Sequence, residues 1–273
     1  MIRNLLPISL VGLFLIASLV AGIIHLTSNN PIDVETMAVA NQLYSNGEYS
    51  TAAKIYEQLL SQGQQHSSLY YNLGNAYYAQ GDFGRAILNF QRASRLDPRD
   101  PDIRANLALA RTQSATDYAQ PSNPFEAMAS FSSSWLTLNE TALITLVLWF
   151  LLGFLVFTYR QLPPGRMRTI ALNGFFATLL IILVAGVSFG SRIYLERTKP
   201  EAVIIAEQVT INSSPADDSS TEFNLTSGTE VKLLEIRADW AKLGLPNDVF
   251  EGWIPLNTIE TVSLNHTFGL PTF

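Results

Sequence analysis

Two charge-free runs, Thr141 to Tyr159 and Thr169 to Ser191, stand only nine residues apart, and they constrain this chain more than any other feature. A helix needs about 20 apolar residues to cross a hydrocarbon core of ~30 Å, and each run meets that length. The pair is expected to form a transmembrane hairpin over 141–191. The loop between them, RQLPPGRMR at 160–168, carries Arg160, Arg166 and Arg168 and no acid. The excess of arginine and lysine in cytoplasmic loops places it in the cytoplasm. The segments before Thr141 and after Ser191 then share the outer face, with Trp135, Trp149 and Tyr159 as interfacial anchors.

A third charge-free run, Leu5 to Leu26, follows Arg3. The apolar stretch of a secretory signal spans ~7–15 residues, and no A-x-A cleavage site follows this one. Length favours an uncleaved signal-anchor or transmembrane helix within 1–33 over a cleaved signal, and the outer placement of the soluble parts holds either way. Composition agrees, with 48% hydrophobic residues, 15% charged residues and a mean hydropathy of +0.17. The net charge of −6 offers no basic stripe to neutralise phosphates, which argues against nucleic acid as a partner. The chain has no cysteine, so disulfides, thiolate catalysis and Cys-based metal sites are excluded.

Between the first run and the hairpin, the chain matches itself at an offset of 34 residues. NGEYSTAAKIYEQLL (Asn46 to Leu60) aligns with QGDFGRAILNFQRAS (Gln80 to Ser94). Gly47 pairs with Gly81 at a turn, Ala52 with Ala86 where helices cross closely, and Tyr56 with Phe90 between helices. Within the second copy, Tyr70, Leu73, Gly74, Tyr77, Ala86, Phe90 and Pro98 resemble the tetratricopeptide (TPR) pattern of ~34-residue helix-turn-helix units. A third copy begins at Pro101, where Leu107 and Ala108 take the places of Leu73 and Gly74, but no second helix follows. It reads as a capping helix. All-α TPR repeats are expected over 34–116, followed by a linker over 117–140. Within that linker FEAMASFSSSWLTL either packs beneath the repeats or lies on the membrane surface.

Helical spacing turns Tyr70, Leu73, Ala76 and Tyr77 toward the packed interior. Asn41, Tyr44, Tyr71, Asn72, Asn75, Tyr78 and Asn106 fall where TPR proteins line a concave, peptide-binding groove. Asn amides there offer a donor and an acceptor to an extended backbone. Asn41 and Asn72 resemble the asparagines of the carboxylate-clamp type. The basic half of that clamp is replaced by Ala38, Asp102 and Asn106, so a free carboxylate would lack charge-assisted bonds. The groove is expected to suit an internal or neutral peptide segment, the alternative being a solvated helix face.

From Ala202 the pattern changes to short alternating runs: AVIIAEQVTI, EFNL, EVKLLEI, AKLGL, GWIPL and TIETV. Such runs predict a small all-β barrel or sandwich. The succession Ser213 to Pro215, Phe223-Asn-Leu, Ser-Gly228-Thr-Glu-Val, Trp240-Ala-Lys-Leu and Gly252-Trp-Ile resembles the bacterial SH3-like barrel, over 202–264. Trp240 and Trp253 either form an aromatic cleft or fill a small core.

Chemistry is sparse. A G-x-S-x-G string occurs at Gly186 to Gly190, but a nucleophile elbow needs a strand, a sharp turn and a helix, and this string sits inside an apolar run. Its G-x-x-x-G spacing suits close helix packing instead. An intramembrane hydrolase built from Ser188 and His25 is the remote alternative. His66 and His266 belong to no metal-ligand spacing, and no H-E-x-x-H, P-loop or dinucleotide fingerprint appears. No enzyme, cofactor or metal is expected.

The whole layout, an apolar N-terminus, repeats ending in GDFGRAILNFQRASRLDPRDPDIRANLALAR, a membrane hairpin and a terminal SH3-like barrel, resembles the BatE-like TPR proteins of bacterial aerotolerance (Bat) operons. The resemblance implies a multidomain, multi-pass protein of the bacterial cytoplasmic membrane with its TPR and SH3-like domains extracytoplasmic. Its implied partners are membrane proteins with von Willebrand A-type domains and, indirectly, a cytoplasmic MoxR-type ATPase. The function expected is a non-enzymatic scaffold, with cell-wall peptidoglycan binding through the barrel as the alternative.

Overall fold

The computed structural model describes residues 33–114, 123–216, 219–245 and 250–264. The proposed N-terminal anchor, His25 and His266 lie outside them. Five helices come first: α1 (Val34–Ser45), α2 (Tyr49–Ser61), α3 (Ser67–Ala79), α4 (Phe83–Leu96) and α5 (Pro101–Ser114). The turns joining α1 to α2 and α3 to α4 are copies of one another. Gly47 and Gly81 both hold a left-handed φ, +85° and +80°, which favours a residue without Cβ. Their amides donate to Tyr44 O and Tyr78 O, and the next amides, of Glu48 and Asp82, donate to Leu43 O and Tyr77 O. Every partner is displaced by the same 34 residues.

The helix pairs meet where the repeat requires. Ala52 and Ala86 are fully buried, as are Tyr56 and Phe90. A Cβ on Gly74 would stand 2.7 Å from the Phe90 ring, so the glycine is what lets that ring approach α3. Leu59, Leu69, Leu73 and Ala76 complete the core of the first three helices.

Within 117–140 a further helix, α6 (Pro124–Ser133), is capped by Asn123, whose side chain accepts from the Glu126 amide at 2.9 Å. Two long helices follow, α7 (Leu138–Gln161) and α8 (Arg166–Thr198), both long and apolar enough to cross a membrane. Their large side chains point outward: Phe150, Phe154, Phe176 and Leu180 are all exposed. Gly174 on α8 faces the Leu155 side chain of α7.

The C-terminal part is an antiparallel sheet of β1 (Glu201–Ile204), β2 (Gln208–Asn212), β3 (Thr221–Thr226), β4 (Glu230–Arg237), β5 (Trp240–Gly244), β6 (Glu251–Pro255) and β7 (Ile259–Thr261). Its strand order is β3-β2-β6-β5-β4-β1-β7. Alternate residues Val231 and Leu233, and Ala241 and Leu243, enter one core with Ile204, Ile211 and Ile254, the period-two pattern of a strand with one buried face. The β4–β5 hairpin turns on Ala238 and Asp239, with Ala238 at φ +48°.

The described chain divides into two compact units. One holds residues 138–190, and the other holds the helices up to Thr137 together with everything from Ser191 onward. Repeats and sheet therefore share one unit and a common interior.

Candidate functional site

Helices α1, α3 and α5 open successive copies of the repeat, and Asn41 and Asn75 are one repeat apart, as are Asn72 and Asn106. The fold joins them in equivalent pairs. Asn72 Nδ2 donates to Asn41 Oδ1 at 3.0 Å, and Asn106 Nδ2 donates to Asn75 Oδ1 at 2.8 Å. Tyr56 Oη also donates to Asn41 Oδ1 at 2.6 Å, and Asn106 Nδ2 reaches Tyr71 Oη at 3.1 Å. The result is a ladder of paired amides along the first helices of the repeats. An Asn side chain carries two donors and an acceptor with two lone pairs, so one bond between two amides leaves capacity in each for a ligand backbone.

The three tyrosines expected beside them lean on aromatic rings of the neighbouring helix. Tyr44 packs on Tyr49, Tyr71 on Phe90 and Tyr78 edge-on to Phe83, with centroids 5.2, 5.9 and 5.4 Å apart. All three stay half-buried. Each ring contact is worth about 0.5–1.5 kcal/mol, and Tyr44 packs further on the core of the first three helices, Tyr71 and Tyr78 on the cluster around Phe90. The sequence signalled the asparagines by their spacing, but it gave no sign that they bond to one another.

The opposite side of the repeats is covered. On α4, Ala86, Phe90 and Ala93 face the other repeat helices, and a second face carries Gly84, Ile87, Leu88, Gln91 and Arg95. Ile87 and Leu88 share a buried cluster with Val203 of β1 and Val262 after β7. Gly84 lies so close that a Cβ would overlap Ser227 Oγ and stand 2.7 Å from Ile204 O. Ion pairs rim the contact: Arg92 with Glu260 at 3.3 Å, Arg95 with Glu201 at 3.0 Å, and Arg111 with Glu230 at 2.6 Å. Arg92 Nη2 also donates to Thr261 O at 2.7 Å. The sheet thus buttresses the second helix of the second copy, and none of these contacts involves the four asparagines of the ladder.

Trp240 and Trp253 lie on neighbouring strands, where Trp240 pairs with Pro255 and Trp253 with Lys242. They are diagonal neighbours on one face, opposite that of Ala241, Leu243 and Ile254. Neither belongs to the sheet core cluster. Trp253 is buried with the Arg237 guanidinium 5.1 Å from its ring, whereas Trp240 is half-exposed. Ser188 and its flanking glycines sit within the continuous helix α8, not on a strand-turn-helix elbow. Among the described residues no cluster of His, Asp and Glu has the makings of a metal site.

Paired amides and packed tyrosines thus lie together on the first helices of the repeat. A TPR repeat family model matches residues 74–113, which takes in the end of α3 from Gly74, all of α4 and α5 up to residue 113. That match points to an interaction module and to protein partners in general. No curated protein matches this sequence.

Proposed function

We propose that this chain is a non-enzymatic scaffold anchored in the cytoplasmic membrane, whose repeats hold a protein partner on the outer face. The observation that carries the reading is the repeated amide pair, Asn41 with Asn72 and Asn75 with Asn106, which takes no part in the contacts between α4 and the sheet. Neutral amides with spare bonding capacity suit the peptide backbone of an internal segment. A free C-terminal carboxylate is disfavoured, because Ala38 and Asp102 stand where a clamp would need cations. The layout supports a place in a Bat-type complex, with von Willebrand A-domain membrane proteins as direct partners and a MoxR-type ATPase reached through them.

The intact protein is the right object to test, since α4 shares its interior with β1. Affinity purification in mild detergent should recover von Willebrand A-domain proteins, and Asn72→Leu with Asn106→Leu should abolish that recovery. Equal recovery by the double variant, or none by the wild type, would remove the reading.

A second reading rests on the half-exposed Trp240 beside Trp253, in a sheet whose sequence landmarks resemble an SH3-like barrel. There the sheet binds peptidoglycan peptides and the repeats position it. Retention of the intact protein on isolated sacculi, lost on Trp240→Ala, would support it, and no retention would dismiss it.

A further inference from the structure

Helix α6 places its single charge inward and leaves its outward surface without any. Glu126 is buried and pairs with Lys232 Nζ on β4 at 2.8 Å, with side chains only 8% and 12% exposed. From Ala127 to Asn139 the sequence has no charged residue. Yet Phe125, Phe131 and Trp135 are 40%, 72% and 59% exposed, and Tyr194 on α8 is 59% exposed with its ring 6.0 Å from that of Phe125. Phe125 and Tyr194 are in ring contact, and Arg192 Nη1 donating to Leu136 O at 2.9 Å and Arg99 Nη1 donating to Trp135 O at 3.2 Å join the end of α8 and the α4–α5 turn to the segment after α6.

A water-facing helix would carry charge on this surface, and a core helix would bury its aromatics. An uncharged face with outward Phe, Trp and Tyr, rimmed by guanidinium groups, has the composition of a segment seated at the boundary of lipid headgroups and acyl chains. Continuity supplies the occupant. Trp135 lies three residues before α7 begins at Leu138, and Tyr194 lies three residues past Ser191, where the apolar run of α8 ends.

We propose that α6, with Trp135 and Tyr194, is an interfacial collar that seats the repeat-and-sheet unit on the phospholipid surface of the membrane crossed by α7 and α8. The inference rests on the reading of those two helices as membrane spans. The collar fixes the sheet to the bilayer through the Glu126–Lys232 pair, and the sheet in turn holds α4.

The absence of cysteine permits a direct test on the full chain. Three single-cysteine variants, Phe131→Cys, Phe154→Cys and Ala105→Cys, are labelled with an environment-sensitive fluorophore and reconstituted in phosphatidylcholine–phosphatidylglycerol vesicles. The vesicles carry nitroxide lipids labelled either near the headgroup or deep in the acyl chain. The collar predicts blue-shifted emission at position 131, quenched most by the shallow nitroxide. Position 154 is quenched most by the deep one, and position 105 emits as in water. If position 154 is quenched in depth while position 131 behaves like position 105, the span stands and the collar is overturned, its aromatics being left for a protein partner. If position 154 escapes quenching, the span reading fails and takes the collar with it.

Discussion

Arg111 on α5 grips Glu230 on β4 with both arms of its guanidinium, Nε to Oε1 at 2.6 Å and Nη2 to Oε2 at 3.0 Å. The bond joins the last repeat helix to the sheet across 119 residues of sequence. Burial nevertheless pushes the Glu230 carboxyl above its ordinary value, and the opposing pull of Arg111 only limits the rise. A raised carboxyl contributes stability that is full below its unfolded value and is lost as pH rises through its folded one. Removing Arg111 leaves a buried, uncompensated acid. Arg111→Ala should lower stability by about 3 kcal/mol near neutrality, and it should recover part of the loss on mild acidification. Thermal melts across that pH range check the sign, and a variant whose deficit does not shrink on acidification would show that Glu230 is not the group responsible. The paired change Arg111→Met with Glu230→Leu should cost less than Arg111→Ala alone, because no charge is stranded.

Gly84 reverses the usual helix rule. Replacing a helical glycine by alanine ordinarily stabilises by about 1 kcal/mol, but here the new Cβ would overlap Ser227 and press on the Ile204 carbonyl. Gly84→Ala should instead destabilise by about 1–3 kcal/mol. Denaturant unfolding of the two proteins measures it, and an equal or more stable variant would mean the sheet does not sit against α4.

Tyr56 is buried, donates to Asn41, and has its phenol pushed up to about 12 by burial. Its contribution is intact below the ordinary tyrosine value near 10 and fades as pH climbs through the folded one. Tyr56→Phe should cost about 1 kcal/mol at neutral pH, with no change in fold, since Phe90 fills the equivalent place in the next copy. Ultraviolet titration should lose one late-ionising tyrosine in the variant; an unchanged titration curve would place Tyr56 elsewhere.

The parts set by local periodicity were legible in the sequence. The equivalences of Gly47 with Gly81, Ala52 with Ala86 and Tyr56 with Phe90 all reappear as matching turns and crossings, because a 34-residue period fixes which side chains meet. The docking of the sheet was not read, since it depends on which face of α4 finds a second partner. A trace of it was available by comparing the two copies. The equivalent positions of α2 are Ser50, Ala53, Lys54, Glu57 and Ser61, all exposed but Ala53, whereas those of α4 are Gly84, Ile87, Leu88, Gln91 and Arg95. The replacement of Lys54 and Glu57 by Leu88 and Gln91, and the gain of two branched aliphatics, mark a covered surface. The carboxylates that complete the rim, Glu201, Glu230 and Glu260, look like ordinary solvated residues until the fold brings the arginines to them.

On the proposed function, a partner lies on the amide ladder. A photoreactive amino acid at Ala38, one helical turn from Asn41 and exposed, tests it in intact cells, with exposed Lys54 on α2 as the reference position. On the proposed function, position 38 should give a covalent adduct with a von Willebrand A-domain membrane protein, lost when Asn72→Leu and Asn106→Leu are introduced, and position 54 should give none. Adducts that form equally from both positions, or that survive the double substitution, would contradict it.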